Sequence, residues 1–269
     1  MDLQLGGKRA LVTGGSRGIG KAVARVLLEE GAHVALLARD AARLAEAVAD
    51  LRGAGAGRLI AVRADTTRDE EVKRAAAEAA SALGLGGAID ILVNAAAEPA
   101  GFADPPKLGE ISGEFFHGVL DAKVMGYIRV AREVVPGMKA AGWGRIVNIS
   151  GLAARSTGNT VGSIRNVAVA ALTKNMADEL GALGIQVNLV HPGLTRTERT
   201  APLVAQRAAK LGVSEAQVEA QMAAGNSIGH IVTAEEVAWV VAFLCSPKSR
   251  AINGDMVVAG GGAPGSIHY

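Results

Sequence analysis

A glycine-rich turn between an apolar segment and a helical pattern most constrains how this chain can fold. The apolar run 9–12 leads directly into Thr13-Gly14-Gly15-Ser16-Arg17-Gly18-Ile19-Gly20, and a helical pattern begins at Lys21. In a strand–turn–helix unit of this kind, the free N–H groups at the helix start can bind a pyrophosphate. Glycine suits the turn because it has no β-carbon. The alternative is a merely tight strand-to-helix connection that binds nothing.

Apolar strands alternate with helical stretches along the rest of the chain. The predicted strands are 9–12, 33–38, 58–62, 89–93, 145–149, 185–190 and 255–258, and the predicted helices are 21–30, 41–51, 69–83, 112–120, 122–141, 163–183 and 236–244. Strands joined by helical crossovers pair in parallel, with helices on both faces of the sheet. Because no linker divides the chain, we predict one doubly wound Rossmann-type α/β domain over residues 1–269, with about seven parallel strands.

The least regular segment, 195–230, carries polar and small residues before the last predicted helix. Ligands of open α/β sheets bind beyond the carboxyl ends of the strands, so this segment is predicted to be the substrate lid. Its basic residues, Arg196, Arg199, Arg207 and Lys210, suggest a small and mildly basic pocket.

Charge and composition exclude several classes of protein. The net charge is +2 with both signs interspersed, which provides no electrostatic surface for nucleic acid or an anionic membrane. No run approaches the ~18 uncharged apolar residues of a membrane-spanning helix, and the chain start lacks the order of a signal peptide. The single cysteine, Cys245, has apolar neighbours and is predicted to fill a buried helix position in a cytoplasmic protein. The five histidines show no metal-ligand spacing with acids or cysteine.

The residues after the second strand bear on the choice of dinucleotide. An acid there binds the 2′-hydroxyl of NAD, whereas a nearby arginine accommodates the 2′-phosphate of NADP. Arg39 follows this strand and Arg17 lies in the glycine turn. Two guanidiniums suit one phosphate, so the sequence favours NADP(H) over NAD(H). The alternative is that Asp40 caps the next helix while Arg39 is solvated.

Over nearly its full length the chain resembles the short-chain dehydrogenase/reductase family. The glycine turn is similar to that family's nucleotide loop, Asp65-Thr66 to its adenine contact, and Asn94-Ala95-Ala96-Ala97 to its Asn-Asn-Ala-Gly segment. Pro192-Gly193-Leu194-Thr195-Arg196-Thr197 resembles the segment that holds the nicotinamide carboxamide, and Asn253-Gly254-Asp255 through Gly261 the closing strand.

The resemblance implies a dinucleotide cofactor, which Arg17 and Arg39 indicate to be NADP(H). The resemblance alone implies a homodimer or homotetramer that pairs through the helices near 122–141 and 163–183. The predicted cofactor-binding residues are Gly14, Ser16, Arg17, Gly18, Ile19, Gly20, Arg39, Asp65, Thr66, Asn94, Ala95, Ala96, Pro192, Gly193, Thr195 and Thr197.

The family's catalytic set of Ser, Tyr and Lys does not match this chain. Its two tyrosines are Tyr127 and Tyr269, and neither has a lysine four residues later. Ungapped spacing places Gly151, Ile164 and Ala168 at the three family positions. Alignment on Leu172-Thr173-Lys174 instead places Gly162 and Asn166 at the tyrosine and lysine positions. Ser150 is offset by one residue from the catalytic serine, and Lys123 stands where the family has an asparagine.

Four residues are candidates for the missing proton chemistry: Lys123, Tyr127, Ser150 and His191. Lys123 and Tyr127 are four apart on one predicted helix, so both can face the same way, and a buried lysine could lower the tyrosine's pKa. The alternative is an interface lysine beside a packed tyrosine. His191 precedes the Pro192-Gly193 pair and could donate a proton near neutral pH, or it could be packed away.

A polar loop over the expected nicotinamide position offers further candidates: Arg155, Ser156, Asn159 and Ser163, followed by Arg165 and Asn166. They could orient a polar or anionic substrate by hydrogen bonds, or Ser163 could simply cap the helix. His230 and the tail Ser266-Ile267-His268-Tyr269, which could reach a neighbouring subunit, are weaker candidates.

The leading hypothesis is an NADP(H)-dependent reductase that acts on a small carbonyl compound or cyclic enone, because hydride transfer can survive the loss of a general acid at reduced rate. One alternative is a non-redox catalyst, such as a dehydratase or hydrolase, that keeps the nucleotide as a structural part. The other is a catalytically silent NADP(H)-binding protein. The expected binding partner of an enzyme of either kind is a small-molecule substrate.

Overall fold

Strands and helices alternate along the chain in the computed structural model, which describes residues 1–84, 88–97, 104–265 and 267. In chain order the elements are β1 (Arg9–Thr13), α1 (Gly18–Glu29), β2 (His33–Ala38), α2 (Ala41–Leu51), β3 (Leu59–Arg63), α3 (Asp69–Leu83), β4 (Ile91–Asn94), α4 (Gly113–Leu120), α5 (Gly126–Ala141), β5 (Gly144–Ile149), α6 (Thr160–Leu180), β6 (Ile185–Pro192), β7 (Thr195–Arg196), α7 (Thr200–Leu211), α8 (Glu215–Ala223), β8 (Val232–Thr233), α9 (Ala234–Cys245) and β9 (Met256–Ala259). The tail candidates Ser266, His268 and Tyr269 lie outside the described residues.

The main sheet has seven strands in the order β3-β2-β1-β4-β5-β6-β9, and neighbouring strands are parallel. The direction in which strands are added reverses between β1 and β4, since β2 and β3 lie on the other side of β1. This reversal opens a crevice at the carboxyl ends of β1 and β4. The predicted doubly wound α/β fold with a parallel sheet is confirmed.

Helices cover both faces of this sheet. Val12, Leu36 and Val93 point to the face covered by α1, α2 and α9, whereas their neighbours Leu37 and Leu92 point to the face covered by α3, α5 and α6. Alternate residues of each strand are therefore buried on opposite sides, which explains why the strands are apolar throughout. Cys245 is fully buried in α9, as predicted.

The segment 195–230 is more regular than predicted. It contains α7 and α8, and β7 pairs in parallel with β8 to form a small second sheet. The two helices share an apolar cluster that includes Val204, Val218 and Met222. Their apolar residues are few and lie among alanines and charged groups. None of the helices in the described part of the chain has the length and apolar character needed to span a bilayer.

Two helix starts near the cleft differ from prediction. The helix predicted over 122–141 opens with a π-helical turn, Asp121–Met125, that joins α4 to α5. The helix predicted from residue 163 begins at Thr160, and its N-cap is Asn159, whose Oδ1 accepts a hydrogen bond from the N–H of Gly162 at 2.8 Å. Ser163 therefore is not the cap; its hydroxyl donates to the Ser156 carbonyl at 3.0 Å.

Candidate active site

The turn after β1 requires glycine at Gly14, Gly18 and Gly20, either for the backbone conformation or for close packing. Gly14 and Gly18 have φ values of +66° and +54°, in the left-handed region that favours glycine. A β-carbon on Gly20 would lie 2.4 Å from the carbonyl oxygen of Gly14, and one on Gly14 would lie 2.8 Å from that of Ala95. The first turn of α1 is thus held directly against the end of the sheet.

A cleft of about 980 Å³ opens above this turn, at the reversal between β1 and β4. Residues that follow β2, β3, β4, β5 and β6 contribute to its walls, together with the start of α6 and the lid. Of the predicted cofactor-binding residues, all but Asn94 line this cleft. Their role in binding stays a prediction.

Arginines gather at the part of the cleft that is lined by the residues following β2. Arg17, Arg39, Arg43 and Arg199 all line it. Burial, and then the proximity of Arg17 and Arg43, lowers the pKa of Arg199, so three guanidiniums lie near one another. Asp40 caps α2 by accepting a hydrogen bond from the N–H of Arg43 at 3.1 Å. The excess of positive charge suits a phosphate, which arginine can bind through two parallel hydrogen bonds.

A lid carboxylate reaches the start of α1. Glu198 Oε2 accepts a hydrogen bond from the N–H of Gly18 at 3.0 Å, and its Oε1 lies 2.9 Å from Lys21 Nζ. Burial opposes ionisation of Glu198, but Lys21 and the backbone N–H groups outweigh it and lower the pKa of this carboxyl. Glu198 therefore places a negative charge at the positive end of the α1 dipole.

The cleft contains a buried lysine beside the carboxyl end of β5. Lys123 is 3% exposed, and its Nζ donates to the carbonyl of Ser150 at 3.0 Å and to Oδ1 of Asn166 at 3.1 Å. Burial, and then the nearby Arg165, lowers the pKa of Lys123 to about 7. Near neutral pH this amine can therefore both give and take a proton.

The π-helical turn Asp121–Met125 carries Lys123. Such turns insert an extra residue into a helix and are frequent at functional sites. Tyr127, in the first turn of α5, meets different surroundings: it is 1% exposed and its hydroxyl donates to the carbonyl of Ile149 at 2.9 Å. Burial raises the pKa of Tyr127, the opposite of the effect expected from a neighbouring lysine. Tyr127 is not among the residues that line the cleft.

Three more of the predicted site residues, Ser150, Asn94 and His191, differ in whether they reach the cleft. Ser150 lines the cleft, but its hydroxyl donates to the carbonyl of Asn166 at 3.0 Å. Asn94 lies behind the wall, where its Nδ2 donates to Asn148 Oδ1 at 3.0 Å. His191 is also behind the wall and buried, and its Nδ1 accepts a hydrogen bond from the N–H of Gly151 at 3.3 Å. The structure thus brings Lys123 and Ser150 to the cleft but leaves Tyr127 and His191 outside it.

Arg165, in the second turn of α6, also lines the cleft. Burial lowers its pKa, and its Nε is buried without a hydrogen-bond partner among the residues that the structure describes. The sequence analysis named Arg165 among six polar residues in and just beyond the loop but did not single it out.

Glu198 and Arg43 are cleft residues that sequence reasoning missed. Neither belongs to a recognisable motif, since Glu198 lies in a charged lid segment and Arg43 on the exposed first turn of α2. Of the four basic lid residues, Arg199 and Arg207 line the cleft, whereas Arg196 pairs with Glu219 at 2.8 Å and Lys210 with Asp104 at 3.6 Å. Within the described ranges no cluster of His, Cys, Asp or Glu could hold a metal ion.

Comparison with known proteins identifies the family. A family model described as enoyl-(acyl carrier protein) reductase matches residues 14–263. The short-chain reductase protein NovJ of Streptomyces niveus is 35% identical over 256 residues, which cover 95% of this chain and 93% of that protein. Dehydrogenase/reductase SDR family member 4 of Oryctolagus cuniculus is 34% identical over 268 residues, which cover 98% and 96%. The chain belongs to the short-chain dehydrogenase/reductase family.

Solved structures of reductases have the same fold. L-Sorbose reductase from Gluconobacter frateurii, complexed with NADPH and L-sorbose, superposes with a TM-score of 0.90 at 29% identity, covering 99% of this chain and 100% of that one. An actinorhodin polyketide ketoreductase variant with NADPH gives a TM-score of 0.86 at 30% identity, covering 97% and 98%.

Proposed function

We propose that this protein is an NADP(H)-dependent reductase that acts on a small carbonyl compound or cyclic enone. The crowded glycine turn and the arginines Arg17, Arg39 and Arg43 fit a dinucleotide that carries a 2′-phosphate. When bound, NADPH supplies a hydride, with its two electrons, to a carbon of the substrate.

Reduction of a carbonyl group also requires a proton on its oxygen, and Lys123 is the group we assign to this step. An ammonium has three N–H donors, and two of them are used by Ser150 and Asn166. The third is assigned to the substrate oxygen. Proton transfer from Nζ completes the hydroxyl and leaves a neutral amine, the form that burial favours. The amine then regains a proton from solvent through the cleft.

The single observation that carries this assignment is the buried contact between Lys123 and Asn166. In the alignment on Leu172-Thr173-Lys174, Asn166 stands at the family's lysine position and Lys123 at its asparagine position. The two side chains are hydrogen-bonded at 3.1 Å. The lysine and the asparagine of the family's site are therefore both present here and in contact, but each occupies the aligned position of the other. The aligned tyrosine position is Gly162, where a β-carbon would lie 2.7 Å from the Asn159 side chain. We therefore propose catalysis without the customary tyrosine.

The test is oxidation of NADPH by the purified protein with a panel of carbonyl compounds. We expect turnover that falls about 10²–10⁴-fold in Lys123→Met, the typical cost of losing a general acid. Lys174→Met is the matched control, because Lys174 lies exposed on α6 and pairs with Asp178. Tight NADPH binding with no turnover across the panel would overturn the proposal and favour a silent cofactor-binding protein. Turnover without NADPH oxidation would favour a dehydratase or hydrolase.

We further propose that residues 1–269 act as one domain with 195–230 as the lid, in a cytoplasmic homo-oligomer paired through the helices near 122–141 and 163–183. Apolar side chains on these helices are exposed in the isolated chain: Met125 is 40% exposed, Ile164 43% and Val167 51%. Light scattering on the purified protein measures its mass directly. A monomer at micromolar concentration would contradict this assembly.

A further inference from the structure

Two basic side chains, Lys123 and Arg165, line the same cleft. Lys123 lies beside the carboxyl end of β5, and Arg165 lines the same cleft from the second turn of α6. They are close enough that Arg165 contributes to lowering the pKa of Lys123. Within the residues described, neither forms an ion pair with a carboxylate.

The acidic residues that line the cleft contact partners other than Lys123 and Arg165. In its described lining they are Asp40, Asp65 and Glu198. Asp40 caps α2 and pairs with Arg43 at 3.4 Å, Asp65 accepts hydrogen bonds from Thr67 at 2.9 Å, and Glu198 binds Lys21 and Gly18. Asp40, Asp65 and Glu198 therefore provide no counter-ion for Arg165 or Lys123.

Arg165 also has hydrogen-bonding capacity to spare. Its Nε is buried and makes no hydrogen bond to any of the described residues. A buried polar donor without a partner costs free energy, and a buried cation without a counter-ion costs more. A ligand that brings both an acceptor and a negative charge removes both costs. A carboxylate is such a ligand, since its two oxygens match the planar guanidinium fork.

We propose that the substrate is a carbonyl compound that also carries a carboxylate, an oxo acid, and that Arg165 binds this carboxylate while Lys123 faces the carbonyl oxygen. This inference rests on the proposed reductase function and names its substrate class. Arg165 is then the residue that determines specificity for charged over neutral substrates. The reaction remains a simple reduction, in which the carboxylate is unchanged and the carbonyl gains a hydride and a proton.

The experiment compares matched substrates and variants in the full-length protein. A set of small oxo acids is assayed with NADPH beside the methyl ester of each acid and a neutral ketone of similar size. For the unaltered protein we expect kcat/KM to be higher for the acids than for their esters. In Arg165→Gln, KM for the acids should rise about ten- to hundredfold, the loss expected for a charged hydrogen bond. Because Arg165 also lowers the pKa of Lys123, both proteins are assayed at about pH 6, where Lys123 is protonated in each. At that pH the KM for neutral ketones should rise far less than the KM for the acids.

Two further variants guard against a merely structural effect. Arg165→Lys retains the charge but not the planar fork, so it should recover part of the affinity for acids. Arg52→Gln removes an exposed arginine just after α2, and it should leave all kinetic constants unchanged. If Arg165→Gln does not fold, Arg165→Lys with the acid–ester comparison still decides the question.

Binding separates this inference from the reductase function. Calorimetry of the NADP⁺-loaded protein with an oxo acid and its ester needs no turnover. Reduction of neutral ketones with no preference for acids would overturn the carboxylate site and leave the reductase intact. Binding of acids that depends on Arg165, without oxidation of NADPH by any substrate, would retain the carboxylate site and overturn the reductase. Equal binding of acid and ester would also overturn the inference.

Discussion

Lys123 Nζ and Asn166 Oδ1 form a 3.1 Å hydrogen bond between residues 43 positions apart in the chain. The lysine comes from the π-helical turn before α5, and the asparagine comes from α6. Because the amide oxygen is neutral, it orients the amine without adding the negative charge that would keep the amine protonated. The amine is poised to lose its proton because burial and Arg165 lower its pKa.

The pH dependence of reduction should follow the protonation of Lys123. Its pKa is lowered to about 7 by burial and by Arg165, so the protonated donor disappears as pH rises past that value and kcat should fall. Asn166→Asp places a carboxylate beside the amine, raises its pKa and should move the fall in kcat to higher pH. The control Asn175→Asp lies exposed on the same helix. An unchanged pH profile in Asn166→Asp would contradict the assignment of Lys123 as the donor.

Removal of Lys123 should stabilise the fold. The pKa of Lys123 is about 7 in the folded protein against an ordinary lysine value of 10.5, so the unfolded chain binds more protons between these values. Stability therefore rises with pH across that window. Burial of the charged Lys123 therefore destabilises the fold fully at a pH below its pKa in the folded protein, and not at all above its pKa in the unfolded chain. Lys123→Met should gain on the order of a few kcal/mol below neutral pH and progressively less in alkali.

Urea unfolding on either side of neutral pH measures this gain, and Lys174→Met serves as the exposed control. A gain of equal size at acid and alkaline pH would show that the effect comes from packing rather than from charge.

Loss of the Glu198 carboxylate should strengthen NADPH binding. Its contact with the N–H of Gly18 places a negative charge at the helix end that a pyrophosphate needs. Glu198→Gln should lower the Kd for NADPH by about two- to fivefold, the range of a helix-dipole interaction. Titration by nucleotide fluorescence measures the effect, with Glu219→Gln in the lid as the control. Weaker binding would instead show that Glu198 helps to order the lid.

The arginines near α2 should separate NADPH from NADH. Arg43→Ala removes a guanidinium that lines the cleft near Arg17 and Arg199. We expect a ten- to hundredfold rise in Kd for NADPH, about the loss of one charged hydrogen bond, and little change for NADH. Arg132→Ala is the surface control. Equal losses for both nucleotides would place Arg43 away from the 2′-phosphate.

The sheet and the glycine turn were predictable because their causes are local. Apolar runs of strand length alternate with helical stretches. Gly14 and Gly20 sit where a β-carbon would meet backbone, and Gly18 has a positive φ. The lid was predicted less well, since α7 and α8 carry few apolar residues and pack against one another through Val204 and Val218.

The sequence by itself determined the order of the elements, the parallel sheet and the position of the glycine turn, because side-chain volume and hydrophobic period act over a few residues. Only the tertiary structure decided which ionisable groups meet. In the folded chain Lys123 is hydrogen-bonded to Asn166 and lies near Arg165. Glu198 is hydrogen-bonded to Gly18, and Tyr127 and His191 are not among the residues that line the cleft. Those outcomes depend on a π-helical turn and on helix packing across the sheet, which bring together side chains that no spacing along the chain relates.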